Sequence, residues 1–223
     1  MTTVLLTGFE PFEQQEVNAS WAAVRAVAAG WSAEVEGAAL VTALLPVSFA
    51  RAPRRLADLL AQVRPDLVVC VGEAGGRSAV GVERVAVNVQ DARIPDEDGA
   101  QPVDEPVVPG GPVAHLSGLP VKACLAAVQA AGVPGEVSNS AGTYVCNTVA
   151  YALAEQLGAS GPGGAGGPAG ARGGFVHVPR LPEQVPAGTP SLDVTASAAG
   201  VAAVLRAALR TTVDVRVAAG TLA

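Results

Sequence analysis

The sequence is poor in the residues that most often reveal a function. Only two histidines occur among 223 residues, so a histidine-rich metal site is not available. Three cysteines cannot all pair, and no two form a C-x-x-C motif. That argues against a disulfide framework and a zinc site, and for free thiols in a reducing cytoplasm. Aromatic side chains make up 4% of the chain. No apolar run reaches the roughly 18 residues that a bilayer-spanning helix needs, so no membrane association is expected. Met1 to Glu10 lacks a basic region and a long apolar core, so no secretion signal is expected either. Positive charge is also scarce. Lys and Arg number 14 against 20 Asp and Glu, and the net charge of −6 argues against nucleic acid as a partner. Gly72-Glu73-Ala74-Gly75-Gly76-Arg77 is glycine-rich but matches neither the dinucleotide fingerprint nor a Walker loop, so no cofactor is implied.

What the chain does have is alternation. Short β-branched apolar runs alternate with Ala-rich helical stretches, the pattern of an α/β fold. Strands are expected at Thr3–Thr7, Leu40–Leu45, Leu67–Val71, Glu83–Val89, Glu136–Asn139 and Gly174–Val178. Helices are expected at Ser20–Ala29, Phe49–Val63, Val121–Ala131, Val145–Leu157 and Leu192–Leu209. Unbroken apolar runs such as Leu67-Val68-Val69-Cys70-Val71 read as central strands covered on both faces. Asn18, and the polar stretch from Ser138 to Thr143, stand where helix caps belong. Gln90 to Pro120 reads as a long ordered loop of the kind that often serves function. Gly158 to Gly174 is almost all Gly, Ala and Pro and reads as a flexible surface connection within a single domain spanning 1–223. No internal repeat is visible, and the length suffices for a core without disulfides or metals.

The three cysteines differ in context. Cys70 lies among valines and Cys124 in an Ala-rich helix, the settings of small buried hydrophobes. Cys146 follows Asn139-Ser140-Ala141-Gly142-Thr143-Tyr144-Val145 and opens a helical run. A helix N-terminus carries partial positive charge and is expected to lower the thiol pKa toward the nucleophilic thiolate. A reactive cysteine needs a base, and the base an orienting carboxylate. His115 stands in the irregular region, where a solvated histidine is the ordinary reading. His177 stands near the end of an apolar strand, where sites gather in open α/β sheets. Glu83 is the available carboxylate, read as opening its strand and, in the plainer view, as a solvated residue beside an arginine. Spacing alone allows a Cys–His–acid hydrolase without singling one out.

Four blocks resemble the pyroglutamyl peptidase type I family. They are Leu5-Leu6-Thr7-Gly8-Phe9-Glu10-Pro11-Phe12 with Val17-Asn18-Ala19-Ser20-Trp21; Gly75-Gly76-Arg77 with Glu83-Arg84-Val85-Ala86-Val87-Asn88 and Asp91-Ala92-Arg93-Ile94-Pro95-Asp96; Ser140-Ala141-Gly142-Thr143-Tyr144-Val145-Cys146-Asn147; and Gly174-Phe175-Val176-His177-Val178-Pro179 with Leu181-Pro182-Glu183-Gln184. They occur in the family's order and span most of the chain. The resemblance implies a three-layer α/β/α sandwich around a mixed, mostly parallel sheet. It also implies a cysteine (omega) peptidase that removes N-terminal pyroglutamate from peptides through a thioester, working as a dimer or tetramer without cofactor. On this resemblance Cys146 is the nucleophile, His177 the base and Glu83 the residue that orients it. Phe9, Phe12, Asn18, Glu73, Arg93, Ile94, Tyr144 and Val145 fall at pocket positions, with Arg93 near the oxyanion and backbone N–H groups as the main donors.

Two departures stand out. Glu73 replaces the glutamine usual in bacterial members. An ionised carboxylate only accepts hydrogen bonds, so Glu73 is expected to be protonated or paired with an arginine such as Arg77 or Arg93. Glu13-Gln14 replaces the usual glycine pair after Pro11-Phe12 and is expected to change how that loop moves. Two other readings stay open at this point: another small-amide hydrolase, such as one acting on glutamine, and a catalytically weakened binding homologue.

Overall fold

The computed structural model describes residues 1–158 and 170–220. Six strands form one sheet in the order β2-β1-β3-β8-β4-β7, comprising β1 (Thr2–Phe9), β2 (Ala38–Leu45), β3 (Leu67–Ala74), β4 (Val80–Glu83), β7 (Gly135–Ser138) and β8 (Arg172–Pro179). All neighbours run parallel except β4 and β8, which are antiparallel. A two-stranded ribbon, β5 (Val85–Val87) and β6 (Ala114–Leu116), stands apart.

Alternation along β3 shows how the sheet is buried. Leu67, Val69 and Val71 face one apolar cluster, while Val68 and Cys70 face the other, as a period of two requires. Helices α1 (Ala19–Gly30), α4 (Val121–Ala130) and α6 (Val194–Arg210) cover the first face. Helices α3 (Arg51–Val63) and α5 (Val145–Leu157) cover the second. The short α2 (Ala33–Glu36) precedes β2. This is the three-layer sandwich expected from the sequence. No helix among the described residues is long and apolar enough to cross a membrane.

Several expectations need correction. Glu83–Val89 is not one strand. Glu83 ends β4 in the main sheet, and the chain leaves that sheet at Arg84, whose N–H bonds Ser138 while its carbonyl accepts from Ser117. Val85–Val87 then pairs with β6 instead. The two apolar alternations run together in sequence because only one residue separates them. Gln90 to Pro120 is not wholly irregular, since it contains β6 and a bridge between Gln90 and Glu105. Asn18 does cap α1, accepting from Ser20 N at 3.0 Å. The stretch from Ser138 to Thr143 caps nothing, for the N-cap of α5 is Tyr144, with no side-chain cap bond. Of the expected flexible connection, 159–169 lie outside the described residues. Gly158 closes α5 in the left-handed conformation, and Arg172 to Gly174 already belong to β8.

Candidate active site

The carboxyl ends of β1, β3 and β8 meet the start of α5 at one end of the sheet, where open α/β folds place their sites. Between them lies a cleft of about 350 Å³. All eight expected pocket residues line it, together with Cys146. Phe9, 2% exposed, belongs as much to the core as to the cleft wall. It does not pair with Phe12. Phe12 leans on Tyr144 with ring centroids 5.8 Å apart, and Phe49 meets Tyr144 edge-on at 5.1 Å.

Local hydrogen bonds fix the loops that carry these side chains. Buried Asp96 accepts from the N–H groups of Phe49, Asp98 and Ala100, which anchors the turn after Arg93 and Ile94. Thr143 donates to the Asp91 carbonyl at 2.7 Å and Tyr144 to that of Pro95 at 3.0 Å, binding this turn to the one before α5. Asn147 is buried and fully occupied, accepting from Val87 N–H and donating to the carbonyls of Val87 and Val89. It pins the first turn of α5 to β5 one residue beyond Cys146. Asn18 spends its carbonyl oxygen on Ser20 and one amide hydrogen on the Glu10 carbonyl, which leaves one hydrogen for the cleft.

Beneath the cleft lies a buried polar pair. His177 Nδ1 stands 2.7 Å from Glu83 Oε1, with the two side chains 4% and 2% exposed. In register, His177 lies beside Gly72 on β3 and Gly81 on β4. A Cβ placed on Gly72 would come within 2.9 Å of Cys146 Sγ and 2.8 Å of the Phe175 ring, so the thiol rests over Gly72, the register partner of His177. The glycine is therefore a condition of this packing. Glu83 is not the solvated residue that the sequence allowed.

The electrostatics follow from this burial. Burial lowers the His177 pKa more than the Glu83 hydrogen bond raises it, so the ring is held neutral. Burial alone would raise the Glu83 carboxyl, but the His177 hydrogen bond and the nearby charges outweigh it and hold it below its ordinary value. Nδ1–H then donates to the carboxylate, leaving Nε2 as the lone-pair face. The Cys146 expectation is corrected. Burial, then the carboxylates of Glu83 and Glu73, push the thiol up to about 12, against the pull of Arg77. The helix N-terminus is present, but the net direction is upward. Both directions favour the neutral thiol and the neutral imidazole at rest.

Glu73 pairs with neither Arg77 nor Arg93. Its Oε1 accepts from Arg180 Nε at 3.0 Å, and its Oε2 accepts from Ala19 N–H at 2.7 Å and Gln184 Nε2 at 2.9 Å. The carboxylate thus sits at the positive end of α1 with all its near donors engaged. Arg77 instead reaches Glu83 at 2.8 Å. Sequence reasoning missed Arg180, which follows the His177 block directly and also binds Glu13 at 3.0 Å. Its only signal was positive charge opposite the unexpected Glu73. His115 is half-buried against Tyr151 and paired with Glu155, away from the cleft. Cys70 and Cys124 are buried and free. Among the described residues no three His, Cys, Asp or Glu side chains converge as metal ligands.

A family profile described as pyroglutamyl peptidase matches residues 2–211. A pyrrolidone-carboxylate peptidase of Streptomyces coelicolor is 53% identical over 212 residues, 95% of this chain and 94% of that one. The pyrrolidone-carboxylate peptidase 1 of Ralstonia nicotianae is 46% identical over 224 residues and the full length of both. In three dimensions the crystal structure of pyroglutamyl peptidase I from Bacillus amyloliquefaciens superposes with a TM-score of 0.86 at 36% identity, covering 96% of this chain and all of that one. The pyrrolidone carboxyl peptidase of Thermococcus litoralis gives 0.81 at 34% identity over 94% of each.

Proposed function

The chain belongs to the pyroglutamyl peptidase family, and on that premise we propose that Cys146, His177 and Glu83 perform its hydrolysis of the bond after an N-terminal pyroglutamyl residue. The observation that carries this reading is the buried His177–Glu83 hydrogen bond beneath a cleft into which the Cys146 thiol opens.

The resting protonation states set the sequence of steps. With the thiol pushed up to about 12, Cys146 cannot wait as a thiolate. His177 Nε2 takes its proton as sulfur attacks the pyroglutamyl carbonyl, and the Glu83 carboxylate stabilises the imidazolium that forms. The same proton passes to the leaving amine. Water, deprotonated by the again neutral imidazole, then cleaves the thioester. The carbonyl oxygen becomes an oxyanion at the start of α5. There the N–H groups of Val145, Cys146 and Asn147 have no intrahelical acceptor, because the first helical bond runs from Thr148 N to Tyr144 O. Arg93, on the cleft wall, adds positive charge. Phe9, Phe12, Ile94 and Tyr144 enclose the small flat lactam, and Asn18 offers its remaining amide hydrogen. The enzyme works in the cytoplasm on peptides with N-terminal pyroglutamate, as a dimer or tetramer. Three free thiols support the reducing compartment.

Pyroglutamyl, prolyl and glutaminyl amides of one fluorescent amine test this reading, assayed under reducing conditions with Cys146→Ser alongside. Release from the pyroglutamyl substrate alone, absent in the variant, is the expected result. A pocket that hydrogen-bonds the lactam can discriminate by about 10⁴–10⁵-fold. Release from the glutaminyl substrate would make the enzyme an amidohydrolase of another kind. No release from folded, reduced protein would leave a binding homologue.

A further inference from the structure

Glu83 Oε1 accepts two hydrogen bonds, not one. Besides His177 Nδ1 at 2.7 Å, it receives Arg77 Nη1 at 2.8 Å. The other arm of the same guanidinium, Nη2, donates to the Ser140 carbonyl at 3.0 Å, in the loop that leads to Cys146. Access to the carboxylate depends on a missing side chain. A Cβ on Gly81 would lie 2.6 Å from Arg77 Nη1, so any larger residue there would push the guanidinium off Glu83.

We propose that Arg77 is a positioning residue of the catalytic apparatus: its two-armed contact ties the Glu83 carboxylate to the loop bearing Cys146 and sets the pH at which the unit works. The proposal rests on the triad assigned above. It goes further by giving a non-reacting cation control over three reacting groups.

The surroundings show why this cation matters. Glu83 is 2% exposed, and among the described residues no donor meets hydrogen-bond geometry at its second oxygen, Oε2. An ionised carboxylate so placed depends on the charges that remain close to it. Those charges come from every element packed around it. His177 approaches from β8, Arg77 from the β3–β4 connection and Cys146 from α5. Glu136 on β7 lies 3.9 Å from Arg77, Glu73 on β3 acts on the thiol, and His115 on β6 lines a small cavity with Glu83 while bound to Glu155. Among the described residues, Arg77 supplies the one guanidinium in direct contact with Glu83.

Loss of that charge moves all three groups in one direction. Arg77 helps to hold the Glu83 carboxyl down, so without it the carboxyl protonates at higher pH. It also lowers the His177 pKa, so without it the imidazolium persists to higher pH. The Cys146 thiol likewise loses a charge that lowers it. The first two effects shift the acid limb of activity upward, and the third shifts alkylation of the thiol upward.

The test compares Arg77→Gln and Arg77→Lys with the natural chain, with folding checked by thermal unfolding. Two readouts are taken against pH: kcat/KM on a pyroglutamyl amide, and the rate of alkylation by iodoacetamide. Alkylation needs no substrate, and it reports Cys146 because Cys70 and Cys124 are buried. It therefore tests the proposal even if the pyroglutamyl substrate is not turned over. For Arg77→Gln the acid limb and the alkylation profile are expected to move up by about one pH unit, the low end for a near charge because Arg77 is partly exposed. Arg77→Lys keeps the charge but cannot reach both acceptors. Its acid limb is expected to stay closer to that of the natural chain, with kcat reduced several-fold. Unmoved profiles in Arg77→Gln would overturn the proposal and leave Arg77 a structural residue. Should that variant not fold, Arg77→Lys decides alone, and a kcat equal to that of the natural chain would overturn the two-armed contact.

Discussion

The floor and the rim of the cleft are held by opposite means. On the floor, Glu83 and His177 are almost wholly out of water and joined to each other at 2.7 Å. At the rim, Arg180 and Glu13 meet at 3.0 Å with 29% and 41% of their side chains exposed. Buried charge is strongly coupled to its neighbours, whereas exposed pairs contribute about 0–1 kcal/mol. On the proposed reading the chemistry lies on the floor, whereas the rim holds the loop that carries Phe12, so damage to each should appear in a different kinetic constant. Floor variants should lower kcat, and rim variants should raise KM.

Glu83→Gln strikes the floor hardest. The amide keeps the size but loses the charge that stabilises the imidazolium, and it can present its NH₂ to Nδ1 in place of an acceptor. A kcat loss of about 10³–10⁴-fold with KM little changed is expected, the scale seen when a triad carboxylate is neutralised. A loss below tenfold would mean that Glu83 is not the orienting residue. Gly72→Ala acts on the same floor through space alone. Its Cβ would displace Cys146 Sγ or the Phe175 ring. A kcat drop of about 10–100-fold and a destabilisation of about 1–3 kcal/mol are expected, read from steady-state kinetics and thermal unfolding. Normal kcat would show that the thiol is free to shift without cost.

The floor was far more legible in the sequence than the rim. Its three residues sit inside family blocks, and the helix over Val145–Leu157 has the bounds the pattern suggested. What misled there was energetic. The start of α5 was expected to lower the Cys146 thiol pKa, yet burial beside two carboxylates is the larger effect. Glu83 was placed at the start of a strand because its neighbours alternate on both sides of Arg84, and only pairing partners show that the sheet changes there. The rim joins Glu13, Glu73, Arg180 and Gln184, which come from three separated segments. No local pattern brings such residues together. The odd Glu73 signalled that a cation was needed but not which one.

Glu73→Gln tests the rim where it is most buried. The amide oxygen can replace only one carboxylate oxygen, so it cannot serve Arg180, Ala19 and Gln184 at once. KM is expected to rise about 3–30-fold with kcat nearly unchanged, as loss of charge-assisted hydrogen bonds of about 1–2 kcal/mol implies. A comparable fall in kcat would show that rim and floor are not separable.

Glu13→Gly is expected to have the smallest effect, because its contributions oppose one another. Glu13 and Gln14 have φ of 53° and 61°, left-handed conformations that glycine adopts freely and that cost other residues about 1–2 kcal/mol each. This is a physical reason for a glycine pair at these positions. The glycine variant relieves that strain at 13, but it loses the Arg180 contact and gains freedom in the unfolded chain. Stability should therefore stay within about 1 kcal/mol of the natural chain. Mobility should not stay the same. Among the described residues, the contact with Arg180 is the only side-chain hydrogen bond tying residues 11–16 to the rest of the molecule. Amides of that loop should exchange faster, and KM should rise about twofold, with Phe12 less firmly placed over the cleft. In 1 M salt, where the screening length falls to about 3 Å, the natural chain should approach the variant in both respects. If the loop exchanges no faster, its position is set by the packing of Phe12 on Tyr144, and the rim would then be held as the floor is, by contact rather than by charge.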